Sequence, residues 1–276
     1  MLSEMKSVLR YPGAKWSIAR WIIDFFPKHH SYLEPFFGSG GVFFTKDRSN
    51  IETINDLDGE IVNLFECIRN DPEKLAHQVY FTPYSRQVYD ACFTEDPPTD
   101  RFARAARLLA QSNMSHGFRT NGRKVGWKND VVGRERAYAA KNWVELPSII
   151  LDTAERLRGV QIECAPAAEL IERFNSPDVL VYCDPPYVLS TRGGKQYRCE
   201  MTDNDHLQLL DVLKRHDGPV LISGYESLMY DSELRGWHKE KTTTTDQLSR
   251  VRKETLWMNF EPAAQCSIWD MSQPGG

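Results

Sequence analysis

No Cys-x-x-Cys pair occurs in this chain, and its six cysteines (67, 92, 164, 183, 199 and 266) stand singly. That scatter argues against a zinc site and against a disulfide framework, and it points to a reducing compartment. No run approaches the roughly 20 apolar residues that span a bilayer. The opening MLSEMKSVLR lacks the apolar stretch of a signal peptide. Together these absences predict a cytoplasmic location and no membrane partner. Net positive charge is also missing: the chain carries −4, an unpromising balance for a partner of nucleic acid.

That average hides a segregation. Between 101 and 136 stand Arg101, Arg104, Arg107, Arg119, Arg123, Lys124, Lys128, Arg134 and Arg136 against only Asp130 and Glu135, so this window carries +7 and the remainder −11. Surface charge is often merely solvated. Concentrated in one segment of an acidic protein, it is better explained as a surface that faces phosphates.

With 276 residues, 41% of them hydrophobic, the chain can bury one catalytic domain and a smaller insertion. Apolar Ile18, Trp21, Ile22 and Phe25 at helical spacing predict a helix over 15–26, ended by Pro27. Short strands are expected near Tyr32-Leu33, at 51–54, 160–163, 178–183 and 219–223, with helices at 59–69 and 203–215. Thr202 is a plausible N-cap of the second helix, and Gly218 lies just beyond its end. The segment ETLWMNF (254–260) reads as a late strand, with a partner near 237–243. Strand–helix alternation implies a mostly parallel sheet covered on both faces. Residues 71–158 break the rhythm. They read as helical, interrupted by the 19-residue polar loop SNMSHGFRTNGRKVGWKND, and are expected to form an inserted domain, with 1–70 and 159–276 making the catalytic one.

The glycine-rich EPFFGSGG follows the first strand, and Asp56 lies 18 residues after Gly38, at the end of the next. Glycines let a ligand approach the backbone, and an acid at that spacing suits ribose hydroxyls. Alone, this pair says only that the cofactor contains a nucleoside. The missing third glycine of the dinucleotide fingerprint disfavours a nicotinamide oxidoreductase. VLVYCDPPY (179–187) is more specific. A buried strand delivers an acid, two prolines and an aromatic to the carboxyl edge of the sheet, where ligands bind. Asp184 and the Pro185 carbonyl can both accept from an exocyclic amine, and Tyr187 can stack on a base that has left the duplex.

In these segments the chain resembles the Dam-type DNA adenine methyltransferases of bacteria and their phages. RYPGAK, EPFFGSGGVFF, INDLDGEIVNLF and VYCDPPY match the family's motifs in order, and LISGY and RKETLWMNF resemble later segments. The resemblance implies a seven-stranded Rossmann-like α/β sheet, S-adenosylmethionine as cofactor and double-stranded DNA as partner. It places the cofactor on Tyr11, Lys15, Phe36, Gly38, Ser39, Gly40, Asp56 and Asp184, and catalysis on Asp184, Pro185, Pro186 and Tyr187. The insertion does not obviously match a member of known recognition sequence. Phosphate contacts are expected from Arg101, Arg104 and Arg107 at i, i+3 and i+6 of one helix, and base contacts from Arg119, Asn121, Arg123, Lys124 and Lys128 in the loop. After the third strand, where the family often places a polar side chain near the cofactor, this chain reads Cys164-Ala165-Pro166.

Nothing in the motifs asks for a metal, and monomer and homodimer stay open. The rival readings are methylation of cytosine N4 or of adenine in RNA, and a non-catalytic DNA-binding protein on the same fold. The acid at 184, where cytosine-N4 enzymes more often have serine, favours adenine. His29-His30 are expected at the surface, and Trp16, Trp21 and Trp143 in the core.

Overall fold

A computed structural model describes residues 5–129, 138–245 and 251–262. Asp130, Arg134, Glu135, Arg136 and Cys266 lie outside the described residues. In chain order come α1 (Ala19–Ile23), β1 (Ser31–Glu34), α2 (Gly41–Thr45), β2 (Ile51–Asn55) and α3 (Gly59–Asn70). Four helices follow, α4 (Pro72–Phe81), α5 (Arg86–Thr94), α6 (Arg101–Asn113) and α7 (Ala139–Leu157). Then come β3 (Gln161–Glu163), α8 (Ala167–Arg173), β4 (Val179–Cys183), α9 (Asp203–Lys214) and β5 (Val220–Gly224). The last elements are α10 (Leu228–Glu233), β6 (His238–Thr245) and β7 (Val251–Met258).

The strands form one seven-stranded sheet in the order β3-β2-β1-β4-β5-β7-β6. The first five are parallel, and β7 runs antiparallel to both β5 and β6. Strands β4 and β5 are buried along their whole length, as continuous apolar runs covered on both faces require. The order reverses between β1 and β4, so the crevice at their carboxyl ends is the topological switch point where α/β sheets bind ligands.

Local chemistry explains the helix starts. The carboxylates of Asp58, Asp71 and Asp100 cap α3, α4 and α6, with Pro72 in the first turn of α4. Thr202 and Asp205 form a reciprocal capping box at α9. The first helix is shorter than the 15–26 pattern predicts, because the chain before Ala19 is turned toward the glycine-rich loop. There the Trp16 indole donates to Ser39 Oγ at 3.1 Å, so Trp16 packs beside that loop while Trp143 is buried in the core.

Helices α4 to α7 fill the expected insertion, and their buried side chains belong to the same hydrophobic cluster as those beneath β1 and β2. The Arg156 guanidinium of α7 reaches the buried Glu52 carboxylate of β2 at 2.6 Å. The polar loop also has more structure than its composition suggests. Ser115 bridges Trp127, His116 N–H donates to the Gly126 carbonyl at 2.8 Å, and Lys128 N–H to the Met114 carbonyl at 2.7 Å. These bonds leave Asn121 to Lys124 exposed at a tip.

Candidate active site

Strand β1 ends at the switch point, and the chain turns there through Gly38 (φ +51°) and Gly40 (φ +67°), values that side-chain-bearing residues rarely adopt. A Cβ at Gly38 would come within 2.8 Å of the Tyr11 ring, so the glycine also makes room for the N-terminal segment. Asp56, just beyond β2, holds the turn. One carboxylate oxygen accepts from Gly38 N–H at 2.8 Å and the other from Asp58 N–H at 2.9 Å. Burial pushes Asp56 up to about 6, against the lowering effect of those amides. Cys164 is exposed, and the backbone of Ala165 is fixed by Asn55, which accepts from its N–H at 2.9 Å.

Strand β4 delivers Asp184 to the same crevice. Lys15 Nζ lies 2.8 Å from the Asp184 carboxylate and donates to the Gly13 carbonyl at 2.8 Å. From the neighbouring strand, Ser223 Oγ donates to Asp184 Oδ1 at 2.9 Å. Burial works against charge on Lys15, and the Asp184 and Glu254 carboxylates outweigh it, so its pKa is raised and it stays an ammonium. The Tyr187 hydroxyl donates to the Glu254 carboxylate, and its ring meets Tyr225 edge-on with centroids 4.6 Å apart. Lys15 Nζ lies 4.8 Å from the Tyr187 ring centroid. Glu34, at the end of β1, is pushed up to about 8 by burial, with the Tyr32 hydroxyl donating to it at 2.6 Å in opposition.

Tyr11, Lys15, Phe36, Gly38, Ser39, Asp56, Asp184, Pro186 and Tyr187 all line one cavity. Gly40 sits behind it, where a Cβ would come within 2.5 Å of the Phe37 ring, and Pro185 is buried beside it. Glu34, Tyr182, Tyr197, Ser223 and Glu254 were not singled out from the sequence, although all but Ser223 and Glu254 line the cavity. Glu34 stands inside the glycine motif and was open to notice. The strand-borne Ser223 and Glu254 give no local signal.

The basic window splits in two. Arg101 pairs with Glu66 at 2.5 Å and Arg104 with Glu60 at 3.0 Å, both on α3. Arg107 donates to the carbonyls of Cys92, Glu95 and Asp96 at the end of α5, where a cation complements the helix terminus. These arginines bind α6 to its neighbours. In the loop, Lys124 pairs with Asp90 at 2.7 Å, and Asn121 donates to the Lys195 carbonyl at 3.1 Å. Among the described residues no partner engages the side chains of Arg119 and Arg123. The loop also touches the segment after Tyr187: Thr120 N–H donates to the Gln196 carbonyl at 3.0 Å, and Arg198 N–H to Thr120 Oγ1 at 2.9 Å.

A family model of the D12 class N6 adenine-specific DNA methyltransferases matches residues 11–250. The chain belongs to this family. As a D12-class methyltransferase it acts on adenine in DNA with S-adenosylmethionine as methyl donor. It is similar to the DNA adenine methylase of Vibrio cholerae O1, 24% identical over 95% of this chain and 98% of the relative. The DNA adenine methylase of Escherichia coli K12 is 24% identical over 86% of each chain. A solved S-adenosylmethionine-dependent methyltransferase from Agrobacterium tumefaciens is 12% identical at a TM-score of 0.38, covering 90% of this chain and 61% of that one. For this D12-class chain the fold assignment rests on its own strand order. No helix of the described residues is long and apolar enough to cross a membrane.

Proposed function

We propose that this methyltransferase acts on an adenine turned out of double-stranded DNA at a specific sequence, with Asp184 and the Pro185 carbonyl accepting the two N–H bonds of its N6 amine. One observation carries the reading. Asp184 is presented at the cavity by Lys15 and Ser223, while among the described residues no donor engages the Pro185 carbonyl. An adenine amine is a poor nucleophile because its lone pair is delocalised into the ring. Accepting both N–H bonds draws the nitrogen toward a tetrahedral form with its lone pair free, an effect of orientation and fixed charge. A carboxylate oxygen of Asp184 then stands where the proton that N6 must lose can go. Tyr187 brings an aromatic ring to the cavity lining, which suits stacking on an extruded base.

S-adenosylmethionine, when bound, supplies an electrophilic methyl group on a sulfonium. The cavity fits such a group on two counts. The Asp56 carboxylate lines it with lone pairs beyond the two amide bonds it accepts, and the bare Cα of Gly38 leaves the backbone open to close approach. Tyr11, Lys15, Phe36 and Ser39 would complete the hold, and Asp184 would join the cofactor to the base.

Residues 71–158 would act as the target-recognition unit, in the cytoplasm where the DNA lies. Arg119 and Arg123 are the best placed to reach DNA because, among the described residues, no partner claims their side chains. Asn121, Lys124 and Lys128 stand beside them. Incubation with tritiated S-adenosylmethionine and unmethylated plasmid DNA, followed by nucleoside analysis, should yield N6-methyladenine. Asp184→Ala should yield none while still folding and binding DNA. An active Asp184→Ala enzyme would sink the mechanism.

A further inference from the structure

Glu254 stands near the start of β7 among buried residues, only 2% exposed. An ionised carboxylate in such a place is costly unless it is paired and hydrogen-bonded. Burial raises its pKa and Lys15 opposes the rise. Its partners are specific. It accepts from the Tyr187 hydroxyl, and Lys15 Nζ lies 3.7 Å away. The same ammonium is 2.8 Å from Asp184, so Lys15 lies between two acids that come from different strands.

Topology explains the meeting. Because β7 runs antiparallel to β5, with Thr255 opposite Gly224, the first half of β7 lies at the carboxyl edge of the parallel strands. Glu254 therefore shares an edge with the residues that follow β4. Without it the Tyr187 hydroxyl would lose its carboxylate acceptor in a buried setting, and Lys15 would be drawn wholly onto Asp184.

We propose that Glu254 is a positioning residue of the methyl-transfer site, fixing the Tyr187 ring through its hydroxyl and drawing part of the Lys15 charge away from Asp184. This inference rests on the reading above, in which Tyr187 stacks on the base and Asp184 accepts from its amine. Glu254 itself is not among the residues that line the cavity. It sets where two other groups stand.

A double-mutant cycle tests it. Single-turnover transfer from tritiated S-adenosylmethionine to unmethylated plasmid DNA is measured for the wild type, Glu254→Ala, Tyr187→Phe and the double variant. Calorimetry with S-adenosylmethionine and thermal unfolding are run on each. Each single variant should slow transfer by roughly ten- to a hundred-fold, the worth of one hydrogen bond to a charged group. The double variant should be no slower than the slower single one, because both remove the same bond. Glu254→Gln keeps an acceptor for the phenol but loses the negative charge beside Lys15, so it should recover part of the rate, a rescue that a merely structural role does not require. The loss should fall on the transfer step far more than on cofactor affinity. Full activity in Tyr187→Phe, multiplicative losses in the double variant, or a Glu254→Gln enzyme as slow as Glu254→Ala would each overturn the assignment. Tyr187→Phe keeps the test decisive even where Glu254→Ala does not fold. Formation of N6-methyladenine by the wild type tests the underlying reading separately.

Discussion

The Lys15 ammonium lies 2.8 Å from the Asp184 carboxylate, across 169 residues of sequence. It joins the segment ahead of α1 to the acid that follows β4. Lys15 has a side-chain exposure of 6% and Asp184 of 19%, so water screens the pair little. Removing one member of a buried pair strands the other's charge. Lys15→Met should therefore destabilise the protein by about 3 kcal/mol and abolish transfer, since Asp184 and Glu254 would share a site without a counter-ion. Urea unfolding checks the first part. A fully stable and active Lys15→Met would show that the pair is incidental.

Cofactor affinity should depend on Asp56 and Gly38 as one unit, because the carboxylate holds the glycine turn by its amide. Asp56→Ala should weaken S-adenosylmethionine binding by about 1–3 kcal/mol, the cost of an unpaired polar contact. Gly38→Ala should weaken it too, since φ is +51° and a Cβ would meet Tyr11 at 2.8 Å. Calorimetry on the two variants is the measurement. Unchanged affinity in both would remove the cofactor from this loop.

Glu34 gives a pH signature. Its folded pKa, about 8, lies above its ordinary value of 4.5, so between those values the folded state holds a proton that the unfolded state has lost. Stability contributed by this group is therefore present below about 4.5 and is lost as pH rises toward 8. Glu34→Gln cannot ionise. Relative to wild type it should gain stability steadily across that window and level off above it, amounting to a few kcal/mol. Thermal unfolding of both proteins from pH 5 to about 9 decides the matter, and a difference independent of pH would place the ionisation elsewhere.

The arginines of the basic window should separate by role. Arg104→Ala breaks the tie to Glu60; both partners are about one-third exposed, so the loss of stability should stay below about 1 kcal/mol, with sequence preference untouched. Arg123→Ala should leave stability alone and relax base choice at one position, by about 1–3 kcal/mol of discrimination. Methylation across a randomised duplex library reads both. If Arg123→Ala loses activity evenly on every site, the loop does not read sequence.

Much of this protein follows from local signals. Alternating strands and helices, the cap at Thr202 and the apolar runs of β4 and β5 are properties of a few consecutive residues, so periodicity and turn chemistry reveal them without the fold. The glycine loop, the segment that carries Asp56 and DPPY are each a few consecutive residues, and their order along the chain already implies a shared carboxyl edge. Partnership between distant side chains is different. Arg101, Arg104 and Arg107 read as free positive charge until α3 and α5 are seen to supply their acceptors. Ser223 looks like an ordinary strand residue until β5 is set beside β4. Glu254 looks like a solvated acid at the start of a strand, and the antiparallel return of β7 turns it inward to Tyr187 and Lys15. Strand neighbours and directions are set by the packing of the whole sheet, and those choices alone determine which buried charges meet.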